Sequence, residues 1–117
     1  MNTQEIAGMH SDYEDRKAVT KLVNSVKRMV PADGRQDVVN HGCVSGCVGP
    51  MIYYSDTIRF YNRHETAIWA LARELSESIG ESVVGKIAAD CDNDVTGFKN
   101  AMSWFAVEEI CRMLIDD

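Results

Sequence analysis

One all-α domain is predicted by three observations: apolar residues recur at helical period in three long segments, capping and stop residues bound those segments, and no two β-branched runs exist to pair as strands. The first ten residues lack periodicity and are expected to form a flexible N-terminus, leaving residues 11–117 as the helical domain.

Each element follows from its punctuation. Ser11 and Glu14 have capping-box spacing, and Val19, Leu22, Val23, Val26 and Val30 fall on one side of the helix that follows. Lys17, Lys21, Asn24 and Arg28 fall on the opposite side. Pro31 disfavours helical geometry in Val30 and Asp33-Gly34 supplies a turn, so this helix stops near Val30. Residues 36–50 are broken by Gly42, Gly46, Gly49 and Pro50, and read as a short helix followed by an ordered glycine-rich loop. Met51 to Tyr54 is too short for an independent strand and is expected to pack as extended chain.

Ser55-Asp56-Thr57 offers an N-cap to the best-marked helix, in which Ile58, Tyr61, Ile68, Leu71, Ala72, Leu75 and Ile79 keep period until Gly80 stops it. A shorter helix is expected around residues 82–89. Asp92-Asn93-Asp94 then caps a last helix over about residues 95–115, whose apolar residues (Phe98, Met102, Phe105, Trp104, Val107, Cys111, Leu114) occupy too much of its girth for a surface position. It is expected to be central.

Composition narrows the function classes. With 45% apolar residues in 117, a core forms without disulfides or metal, and Cys91 and Cys111 read as small hydrophobes. No run is long and apolar enough to span a membrane, no basic or apolar leader opens the chain, and a cytoplasmic setting is expected. The net charge of −6 argues against broad nucleic-acid binding. It is also segregated: residues 1–36 carry six bases and five acids, and residues 37–117 six bases and thirteen acids. The basic face Lys17, Lys21 and Arg28 reads as solvated, with an acidic partner or a phosphate backbone as the alternative occupant.

Catalytic and metal patterns are incomplete. His41, Cys43 and Cys47 have spacing that converges on a soft metal, but lack a fourth ligand, so neither metal nor other cofactor is expected. Asp90, Asp92 and Asp94 mimic the start of a calcium loop whose glycine position is Val95 and whose final carboxylate position is Ala101. No Gly-Lys-Ser/Thr follows the glycines, and no nucleophile elbow surrounds Ser45, although His41 or His64 and Asp56 complete a triad on paper. The chain therefore reads as a non-enzyme.

His41-Gly42, Ile52-Tyr53-Tyr54-x-Asp56-Thr57-x-x-Phe60 with His64, Phe98-Lys99-Asn100, and Trp104-Phe105-Ala106-x-Glu108-Glu109 together resemble a family of small phage and prophage proteins of no settled activity. The resemblance implies an origin and a bacterial cytoplasm rather than a reaction. It singles out Asn100, Trp104 and Glu108, four residues apart on one strip of the last helix, with His41, Tyr53, Tyr54 and Asp56 in or beside the glycine loop. If the loop packs on the strip, these residues form a polar pocket or interface; otherwise they are structural. The first functional expectation is an anti-defence inhibitor, of the anti-CRISPR kind, that binds a host protein or ribonucleoprotein. The second is a nucleotide-signal binder and the third a small hydrolase using His41 or His64. A homodimer is compatible with all three.

Overall fold

The computed structural model describes residues 1–41 and 54–115. Six helices and no strand are present among them: α1 (Thr3–Gly8), α2 (Tyr13–Met29), α3 (Arg35–His41, after a 3-10 turn at Ala32–Gly34), α4 (Tyr54–Ile79), α5 (Val83–Cys91) and α6 (Val95–Ile115). The glycine-rich loop, Cys43, Cys47 and Tyr53 lie outside the described residues, as does the side chain of Tyr54.

The helix boundaries have local chemical causes. In α2, Asp12 rather than Ser11 is the N-cap, its carboxylate accepting from the Asp15 amide at 3.0 Å. This shifts the start by one residue, since the ionised carboxylate is the stronger acceptor for an amide and favours the positive end of the helix dipole. Val30 leaves helical geometry as the proline requires. Gly80 ends α4 at φ +75°, where a side chain is strained. Asp56, expected to help cap α4, instead lies in its first turn and pairs with Arg59 one turn on. Ser82 caps α5 and Asp94 caps α6, each accepting from an amide three residues ahead at 3.0 Å. Asp94→Ala is expected to cost about 1 kcal/mol of unfolding free energy in a urea titration, because the Gly97 amide loses its acceptor.

The N-terminal segment supplies an element that periodicity does not mark. Residues 3–8 are helical: Asn2 and Glu5 close a capping box, and Ile6 is wholly buried. A helix this short leaves almost no periodic trace, and its stability comes from what it packs on. It lies against α2, where Lys27 Nζ reaches Thr3 Oγ1 at 2.7 Å, and the Met1 amino group donates to the Met113 carbonyl of α6 at 2.8 Å.

The last helix holds the expected central place. It touches α2, α3, α4 and α5, and buries Met102, Ala106, Val107, Ile110, Cys111 and Leu114 against Val19, Leu22, Val23, Ile68 and Leu71 in one core. One hydrogen bond and one ring contact set its register on α4. Ser103 Oγ, fully buried, donates to the Thr57 carbonyl at 3.0 Å. Within α4, Trp69 Nε1 donates to Tyr61 Oη at 2.9 Å, and the Trp69 ring so placed meets Phe98 of α6. Cys111 is the small hydrophobe expected, and burial pushes its thiol up to about 11, which keeps it protonated and unreactive. Among the described residues no helix is long and apolar enough to cross a membrane.

Candidate functional site

The outer stripe of α2 turns out to be one wall of a groove. Lys17, Lys21, Ser25 and Arg28 are spaced four, four and three residues apart, so they stand in a row beside the stripe that enters the core. Packing of α2 on α4 sets this row opposite Asp56, Arg59, Arg63, His64 and Thr66, and a bridge from Arg73 Nη2 to Asp15 Oδ2 at 3.0 Å ties the two helices further along.

Two adjoining clefts lie between the rows. The upper one, about 270 Å³, is lined by Glu14, Lys17, Lys21, Arg63, His64 and Thr66. The lower, about 350 Å³, is lined by Ser25, Arg28, Asp56, Arg59 and Arg63, with Phe60 and Met29 supplying apolar surface. Arg63 lines both. Five bases and two acids thus converge in a chain whose net charge is −6. All five basic residues are exposed. Arg28 also donates to Ser25 Oγ at 3.2 Å, which holds the guanidinium toward the lower cleft.

His64 is the unusual member of this site. It is only 2% exposed, and no described protein group meets either of its ring nitrogens. Its nearest ring is Phe60, 4.8 Å away between centroids and tilted, which offers at most a weak acceptor face. The backbone at His64 departs from helical geometry (φ −117°, ψ 18°) and kinks α4 there. Burial, and then the charges of Arg63, Lys21 and Arg28, push its pKa down to about 4, so the ring is neutral near pH 7 and carries one donor and one acceptor. A buried polar group without a partner costs stability, and such groups concentrate where a protein binds something.

The residues singled out in the sequence separate. Asp56 is half-buried in the lower cleft. His41 is exposed at the end of α3, which packs on α6. Asn100, Trp104 and Glu108 are half-buried on α6, where Trp104 packs against the core and Glu108 pairs with Arg112 at 3.6 Å. None of these three lines either cleft. Their relation to Tyr53 and the glycine loop lies outside the described residues, as does the His41, Cys43, Cys47 cluster. Among the described residues no three His, Cys, Asp or Glu side chains gather as a metal site.

Arg59, Arg63 and Thr66 carry no motif. Their signal was a pair of matching four-residue spacings, Lys17/Lys21 on one helix and Arg59/Arg63 on another, and it becomes a site only once those helices are known to be neighbours.

No curated protein and no solved structure matches this chain. Residues 7–117 match the family described as a domain of unknown function (DUF7222), and because that match spans nearly the whole chain, the protein belongs to this family.

Proposed function

We propose that this is a non-catalytic binding protein whose α2–α4 groove takes a small phosphate-bearing ligand. The observation that carries the reading is the convergence of Lys17, Lys21, Arg28, Arg59 and Arg63 from two helices above a buried, unpartnered His64, in an otherwise acidic chain. Like charges held together repel one another, and an anion between them relieves that repulsion while gaining charge-assisted hydrogen bonds. The surrounding acidic surface disfavours long polyanions, which favours a small ligand over a nucleic-acid backbone.

Titration with phenyl phosphate, followed by amide chemical shifts, tests the reading. Shifts should concentrate on residues 17–28 and 59–66, and Arg63→Ala should weaken binding about tenfold or more, the usual cost of one strong charge-assisted contact. Absence of saturable shifts in the groove would rule the site out.

A second reading, inhibition of a host protein or ribonucleoprotein by a phage-encoded anti-defence protein, draws on the family resemblance and on a different surface. Glu77, Glu81, Asp90, Asp92 and Asp94 are exposed around the two ends of α5, an acidic region suited to a basic partner. A host complex retained at low salt, and released both by salt and by reversing four of these acids, would support it. Retention that ignores both changes would sink it.

A further inference from the structure

The two clefts of the groove differ in chemistry, and that difference specifies a ligand. The upper one gathers Lys17, Lys21, Arg63 and Thr66 around His64, its apolar lining is limited to the small Ala18 and Ala67, and its one carboxylate, Glu14, is exposed. It suits a phosphate, which accepts hydrogen bonds on every oxygen. The lower one adds the apolar surface of Phe60 and Met29, and sets one carboxylate, Asp56, among Arg28, Arg59 and Arg63. Asp56 is half-buried and held by Arg59, so a second phosphate there would meet a fixed carboxylate, whereas the exposed Glu14 of the upper cleft is free to turn toward solvent. An apolar ring bearing hydroxyl or amino groups would instead find surface to cover and an acceptor for its donors.

Resting on the phosphate-binding reading, we infer that the ligand is a mononucleotide, its phosphate in the upper cleft beneath Lys21 and Arg63 and its nucleoside in the lower cleft beside Asp56. Either cleft alone is at or near the small end of ligand sites, about 300–1,000 Å³, and the two joined lie within that range. Arg63, shared by both clefts, stands where the 5′-linkage would cross. The carboxylate of Asp56 already pairs with Arg59, and it keeps lone pairs for a hydroxyl or amino donor.

Calorimetric titration of the full chain with inorganic phosphate, adenosine and the four common nucleoside 5′-monophosphates separates the possibilities. At least one monophosphate should bind about tenfold more tightly than inorganic phosphate. Lys21→Ala should weaken both phosphate and nucleotide. Asp56→Asn should remove about fivefold or more from the nucleotide alone, and Arg28→Ala, also confined to the lower cleft, should do likewise and guards against an Asp56 variant that fails to fold. Equal binding of phosphate and every nucleotide would overturn the inference and leave the phosphate site standing. Binding of none of the phosphates would remove both. A six-nucleotide single strand that binds more than about tenfold better than any mononucleotide would overturn the small-ligand assignment in favour of a strand-binding groove.

Discussion

The chain should lose about 3 kcal/mol of stability through one residue as the pH falls from 6.5 to 4. His64 has its pKa pushed down to about 4 in the fold, against 6.5 when unfolded. Between these values the unfolded chain takes up a proton that the folded chain refuses, so acid favours unfolding. The stabilisation held by the neutral ring is therefore complete above about pH 6.5, declines as pH falls, and is gone once the folded pKa has been passed. Carboxylates titrate in the lower part of the same window, and a variant removes their contribution by difference. His64→Leu keeps the volume about constant and deletes two nitrogens that no described protein group meets, so at pH 7.5 it should be neutral or stabilising. The gap between variant and wild type should then widen by about 3 kcal/mol on going to pH 4, measured by urea unfolding at each pH. Parallel pH profiles would show that His64 is not held in this low-pKa environment.

The second large effect is expected near the N-terminus. Ile6→Ala should cost about 2–4 kcal/mol, as deletion of a fully buried aliphatic side chain does where the surroundings relax only partly. The short α1 owes little to its own hydrogen bonds. It is held by its buried face on α2, by the Asn2–Glu5 capping box and by the Met1 contact to α6. A fall in the urea midpoint with an unchanged slope would locate the loss in the native packing. A cost below about 0.5 kcal/mol would mean that α1 contributes nothing to the core, as an N-terminal arm would.

What the residues determined without help was the helical class and most of its punctuation. Val30 before Pro31, Gly80 at positive φ, and Asp94 ahead of α6 act within a few residues of chain, so their effect can be read from neighbours. The central position of α6 was legible for a similar reason, because a helix apolar around most of its girth has only the interior to occupy. Tertiary structure decided the rest. The order of α1 depends on a surface supplied by α2, and the capping-box pair at Asn2 and Glu5 acquires weight only once Ile6 has somewhere to be buried. The groove is a stronger case. Lys17 and Lys21 alone describe a solvated face, Arg59 and Arg63 alone another, and His64 alone a histidine that fits only an incomplete triad. Their sum depends on the packing of α2 against α4, contacts separated by some forty residues of chain, and Coulomb interaction reports distance in space rather than in sequence.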